Sequence, residues 1–111
     1  MTVETVRDDV VRVLRASGEL DAAVAPPLLD QVGDWVRGAR AVVLDLADVA
    51  FFDSSGVRLV DRFSRECGRA GASLRVVAPP GGVARQVLEI VGMAGPLVDD
   101  DLDAAVAALS A

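Results

Sequence analysis

The sequence predicts an α/β domain: one mixed, mostly parallel β-sheet of four to five strands that opens with an antiparallel hairpin, packed with about four α-helices. Three observations predict it. Apolar, β-branched runs at Val42-Val43-Leu44-Asp45-Leu46 and Ser73-Leu74-Arg75-Val76-Val77 read as buried strands. After the first of them the apolar residues change spacing, and Val57, Val60, Phe63 and Cys67 recur every three or four positions, as in a helix that buries one stripe. The elements then alternate as β-β-α-β-α-β-α-(β)-α, with no internal repeat or low-complexity linker, which implies right-handed crossovers within one sheet.

Each element has its own signal. Thr2 to Arg7 alternates modestly and reads as a first strand, Asp8-Asp9 as a tight turn, and Val10 to Ala16 as the antiparallel return, with Val11 and Val13 set against Arg12 and Arg15. Ser17-Gly18-Glu19-Leu20-Asp21 is expected to break that strand, with Asp21 as an N-cap and the regular helix beginning near Pro26, where proline fits a first turn. Leu28, Leu29, Val32, Trp35 and Val36 form the stripe of this first helix, and Gly38 ends it. Trp35 is expected in or at the edge of the core. The central strand and the helix through Cys67 follow, punctuated by Gly68 and Gly71. After Ser73–Val77 and the Ala78-Pro79-Pro80-Gly81-Gly82 loop, a third helix should turn Val83, Val87, Leu88 and Val91 inward. Leu97-Val98 suits a small edge strand, and Leu102, Ala105, Val106 and Leu109 an amphipathic closing helix.

Composition narrows the function. The 111 residues suit a single domain, 1–111, and 52% of them are apolar, so an aliphatic core is expected rather than disorder. A net charge of −6 argues against nucleic acid as a partner. Histidine is absent and Cys67 is the single cysteine, which removes Ser-His-Asp and Cys-His catalysis and ordinary zinc sites. Cys67 itself reads as a small core residue. Asp8-Asp9 and Asp99 to Asp103 lack the alternating ligands and central glycine of a calcium loop. The second cluster reads better as negative charge placed before a helix start. No metal, cofactor or enzymatic activity is expected. No apolar stretch is long enough to span a bilayer and the start is not signal-like, so no membrane insertion and a cytoplasmic location are expected.

The stretch with most to say is Asp53-Ser54-Ser55-Gly56, where the central strand hands over to a helix. Ligand sites in α/β sheets gather at this edge, and hydroxyls at a helix N-terminus can cap orphan N–H groups or sit beside a phosphate. Judged on the turn alone, Ser54 reads as a plain helix cap.

The surrounding blocks change that reading. Leu44-Asp45-Leu46, Val49, Phe52 and Asp53-Ser54-Ser55-Gly56-Val57 resemble the signature of STAS domains, specifically of anti-sigma factor antagonists. Gly18-Glu19-Leu20-Asp21 resembles the end of that family's second strand, Gly71 to Val77 with Val87 to Met93 its fourth strand and third helix, and Asp101 to Leu109 its terminal helix. Four collinear blocks cover nearly the whole chain. The resemblance implies a STAS fold and a switch in sigma-factor control. In that family the unphosphorylated antagonist binds an anti-sigma factor that is itself a GHKL-type serine kinase, and so frees the sigma factor. Phosphorylation on the serine after the aspartate releases the antagonist, and a PP2C-type phosphatase resets it. By motif position Ser54 is the phosphoacceptor, Ser55 its neighbour, and Asp53 helps place the hydroxyl. Asp21 lies near the same partner-facing surface, and Gly56 leaves room for a partner backbone and also keeps the first turn uncrowded. Arg58 stands where many members carry a small residue, and either pairs with a phosphate on Ser54 or points to water.

With the flanking blocks included, a regulatory phosphosite at Ser54 is favoured over a cap, and both roles are compatible. Two alternatives share the fold: a constitutive STAS subunit of a membrane lipid-transport ABC complex, and a stressosome-type scaffold module without a phosphoswitch. Retention of Asp53-Ser54-Ser55-Gly56 favours the switch. An enzyme is the weakest reading, because Ser54 has no histidine base and no Gly-x-Ser-x-Gly elbow.

Overall fold

The computed structural model describes residues 2–6 and 11–109. It carries the chain through β1 (Thr2–Val6), β2 (Val11–Leu20), α1 (Ala25–Leu29), α2 (Val32–Val36), β3 (Ala41–Phe52), α3 (Ser54–Ala70), β4 (Ser73–Val77), α4 (Val83–Ile90), β5 (Val98–Asp99) and α5 (Leu102–Ala108). The strands form one sheet in sequence order, β1 antiparallel to β2 and every later pair parallel. The mixed, mostly parallel sheet is as the sequence predicts; the Asp8-Asp9 turn lies outside the described residues.

Side-chain alternation along β3 sets the layering. Val42, Leu44 and Leu46 join the larger core with Val32 and Val36 of α2, Leu59, Phe63 and Cys67 of α3 and Leu88 of α4. Ala41 and Val43 point the other way, where they meet Val11, Val13, Val77 and Ala105 of α5. Both faces are thus apolar, which is why Ala41 to Leu44 read as a continuous hydrophobic run. Among the described residues one face carries α1 to α4 and the other only α5.

Two departures concern the chain between the first and central strands. β2 continues through the segment expected to break it. Gly18 takes φ 77°, and the register with β3 slips between Arg15 and Ser17 and again between Gly18 and Glu19. The turn-forming residues are absorbed as bulges, since a positive φ is open to glycine. Leu20 can then bury beside Phe52 at the end of β3. The first helix is also two. Gln31 N–H closes on the Leu28 carbonyl at 3.0 Å, and the ladder restarts with Trp35 N–H on the Gln31 carbonyl at 3.1 Å. This three-residue closure interrupts an α-helix and gives five helices among the described residues where about four were expected. Arg12 of β2 finishes α2 from below, donating to the Trp35 and Arg37 carbonyls at 2.8 and 2.6 Å. Trp35 stacks on Phe63, with centroids 6.1 Å apart and planes 3° from parallel.

α4 is rotated from the expected stripe. Ala84 and Leu88 are buried and Val87 half-buried, whereas Val83 and Val91 are exposed. The helix is apolar on more than one side, so spacing alone allows either stripe. Its rotation is marked by Arg85, which donates to the Ala78 carbonyl at 2.9 Å and to Asp100 at 3.0 Å. The acidic cluster is likewise divided among tasks. Asp99 takes both arms of Arg75, at 2.7 and 2.8 Å, and those hydrogen bonds raise the guanidinium pKa further. Only Asp101, accepting from Ala104 N–H at 2.7 Å, is the cap of α5. Cys67 is buried as expected, and burial, with a smaller contribution from Glu66, pushes its thiol from 9.0 up to about 11.

Candidate functional site at the start of α3

The parallel strands β2 and β3 end level with each other, since Leu20 pairs with Phe52. Their next residues, Asp21 and Asp53, therefore sit side by side at one sheet edge. Each carboxylate closes a turn. Asp21 accepts the N–H groups of Ala23 and Val24 at 3.0 and 3.1 Å. Asp53, extended at φ −128° and ψ −160°, accepts Ser55 N–H at 2.8 Å. An extended residue with a short carboxylate is what an N-cap requires.

The cap of α3 is therefore Asp53 and not Ser54. Ser54 is the first helical residue, exposed, and its hydroxyl makes no hydrogen bond among the described residues. Asp53 holds the backbone of Ser55 rather than the Ser54 hydroxyl. The N–H groups of the first turn and the helix dipole surround this position with partial positive charge, a setting that tolerates an anion.

Ser55 turns inward and is 6% exposed. It lines a pocket of about 90 Å³ between α1 and α3, with Ala22, Ala25, Pro26, Leu29 and Arg58. No hydrogen-bond partner of the Ser55 hydroxyl is found among the described residues, and Arg58 there makes no ion pair. Gly56 has a reason within the fold itself. It is buried, and a Cβ built on it would stand 2.6 Å from Cε2 of Phe52. The core ring beneath it is one reason the position is kept bare.

The sequence thus brings together Asp21, Asp53, Ser54, Ser55 and Arg58 at one edge and removes Gly56 from its exposed surface. It missed Val24 and Phe51, two large apolar residues left 41% and 47% exposed at this edge. A signal existed for Phe51. Adjacent phenylalanines on a strand point to opposite sides, so Phe51 and Phe52 cannot share one core. No group of three or more His, Cys, Asp or Glu residues suited to a metal ion occurs among the described residues. No helix among them is long and apolar enough to cross a membrane.

Comparison with known proteins agrees with this geometry. Residues 2–105 match the STAS domain. The anti-sigma-F factor antagonist RsfB of Mycobacterium tuberculosis is 31% identical over 94 residues, which cover 84% of this chain and 75% of RsfB. Osmosensory protein A of the same organism is 31% identical over 68 residues, 61% of this chain, and the match spans only 43% of that longer protein. The crystal structure of an anti-sigma factor antagonist from Mycobacterium paratuberculosis superposes with a TM-score of 0.83 at 28% identity, covering 99% of this chain and 94% of that one. From the hairpin strand to the helix that seals the second sheet face, then, this chain belongs to the STAS domain family.

Proposed function

We propose that the protein is an anti-sigma factor antagonist whose binding to its anti-sigma factor is switched by phosphorylation of Ser54. The observation that carries the reading is the division of labour at the start of α3. Asp53 caps the helix, so the Ser54 hydroxyl is exposed and has no structural task to lose. The partner is an anti-sigma factor of the GHKL serine-kinase type. It transfers the γ-phosphoryl group of ATP to Ser54 Oγ: the bond to the ADP oxygen breaks, the new O–P bond forms, and the hydroxyl proton passes to a base of the kinase. A PP2C-type phosphatase reverses this with water as the acceptor. The antagonist supplies no catalytic group, and the exchange takes place in the cytoplasm.

Electrostatics gives the switch its direction. Phosphoserine adds nearly two negative charges at neutral pH. They fall beside Asp21 and Asp53 on a chain already at −6, and amid the exposed apolar surface of Val24 and Phe51. Within the chain the helix N-terminus stabilises the added charge, so the fold survives. Across a close-fitting interface built on Asp21, Ser54, Ser55 and Arg58, the same charge and bulk must give up solvent among carboxylates and apolar surface, which expels the kinase.

The test is intact mass of the protein from its native cells, unstressed and stressed, beside a Ser54→Ala variant, followed by pull-down with the Ser54→Ala and Ser54→Glu forms. A species heavier by one phosphate group that vanishes in the alanine form, and capture of a kinase-type anti-sigma factor by Ser54→Ala but not Ser54→Glu, is expected. Equal capture by both forms, or no modified species under any condition, would overturn the switch.

A further inference from the structure

Arg58 belongs to the partner-facing edge, yet among the described residues its guanidinium makes no hydrogen bond or ion pair. It follows Ser54 by four residues on α3, so the two side chains rise from the same face one turn apart. It shares the α1–α3 pocket with Ser55, which is more than nine-tenths buried and whose hydroxyl has no partner among the described residues. Among the described residues neither the exposed guanidinium nor the Ser55 hydroxyl, which solvent still reaches, has an acceptor of its own. An anion on Ser54 is the nearest acceptor the proposed chemistry provides.

We propose that Arg58 is the residue that holds the phosphate on Ser54. In the modified chain its guanidinium donates two N–H groups to phosphate oxygens across one helical turn, and the group is drawn toward the mouth of the pocket, where the Ser55 hydroxyl is a further donor. Acid before base at this spacing is the favourable orientation on a helix, and the guanidinium fork suits a phosphate better than an ammonium does. The phosphorylated state is then stabilised by the antagonist itself, and a phosphatase must first lift the phosphate from Arg58. The inference rests on Ser54 as the phosphoacceptor and assigns the residue that sets how long the modified state lasts.

The second ionisation of the phosphate measures the contact directly. Other charges around the group are the carboxylates of Asp53 and Asp21, Asp30 at the end of α1, Asp61, which pairs with Arg65 at 2.7 Å, and Arg62 two turns along α3. They are common to wild type and to any Arg58 variant. Phosphoserine is placed at position 54 during synthesis of the full chain, without a kinase, and titrated by phosphorus NMR in wild type, Arg58→Gln, Arg58→Lys and Arg62→Gln.

The expected result is a phosphate pKa lower in wild type than in Arg58→Gln by about half a pH unit, roughly a threefold change in proton affinity. Lysine should restore part of the difference, Arg62→Gln should leave it unchanged, and added salt should shrink it. Identical values in wild type and Arg58→Gln, or an equal effect of Arg62→Gln, would overturn the role of Arg58. That failure leaves the antagonist reading standing, because no kinase takes part. Absence of Ser54 phosphorylation in cells would instead defeat the switch, whatever the titration gives.

Discussion

Replacing Gly56 by alanine tests the link between core and site. Alanine is normally the better helix residue, by about 1 kcal/mol in a helix interior and less in the first turn. Here the added methyl would meet three carbons of the Phe52 ring at 2.6, 2.7 and 2.9 Å, all too close. The ring is only 5% exposed, so it cannot swing into solvent without opening a void. Overpacking of this kind costs about 1–3 kcal/mol, and after the propensity gain a net loss of about 1–2 kcal/mol remains. For a domain of this length that is a fall in Tm of roughly 4–8 °C. Urea unfolding followed by the fluorescence of the single tryptophan, Trp35, stacked on Phe63, reads the change. The cause is isolated by repeating Gly56→Ala in a Phe52→Leu background, where a smaller side chain should remove much of the penalty. A Gly56→Ala protein as stable as wild type, or an undiminished penalty in the Phe52→Leu background, would refute the argument.

Removing the cap with Asp53→Ala should cost about 1 kcal/mol in urea unfolding, and Asp53→Asn, which keeps an acceptor for Ser55 N–H, much less; equal losses would mean that the carboxylate charge, not the hydrogen bond, matters. Burial raises the Cys67 thiol pKa from 9.0 to about 11, so the unfolded chain ionises first. The stability this thiol contributes is therefore intact below pH 9 and drains away as pH climbs toward 11. A Cys67→Ala variant should show a shallower decline over that window, which parallel denaturant titrations measure. Arg75→Ala should cost about 1 kcal/mol, since the pair with Asp99 is partly exposed, and should speed amide exchange in β5 and α5 ahead of β2 and β3. Uniform acceleration across the sheet would contradict a local role for that pair.

What the sequence discloses depends on how far apart the causes lie. The β4 strand Ser73–Val77 and the strand-to-helix turn at Asp53 rest on neighbours in the chain, and their residues announce them. The path of β2 past Gly18 does not, because Ser17-Gly18 looks like a turn until a 12-residue β3 offers it partners on both sides of two bulges. The rotation of α4 is hidden for another reason. Val83, Ala84, Val87, Leu88, Ile90 and Val91 surround the helix with apolar side chains, and the contacts that select Ala84 and Leu88 come from distant strands. Asp99 and Asp100 looked like local helix-start charge because Arg75 and Arg85 are 24 and 15 residues away. At the site, the motif singles out Asp53, Ser54 and Ser55, but which of them caps α3 and which turns inward is decided only in the packed structure.

The unequal covering of the sheet bears on how the protein is made. Four helices on the larger core are synthesised between or beside the strands they cover, so that face can close as the chain emerges. The opposite face waits. Val11, Val13, Ala41, Val43 and Val77 are shielded by α5, whose buried Ala105 is synthesised after every strand of the sheet. A chain halted before Leu102 would already hold the turn at Ser54 on a sheet with all its strands, yet would display an apolar strip with nothing over it. Such a strip binds chaperones or other unfinished copies. Completion of a seven-residue helix, on the opposite face of the sheet from α3, would thus mark the moment at which the protein no longer needs an escort.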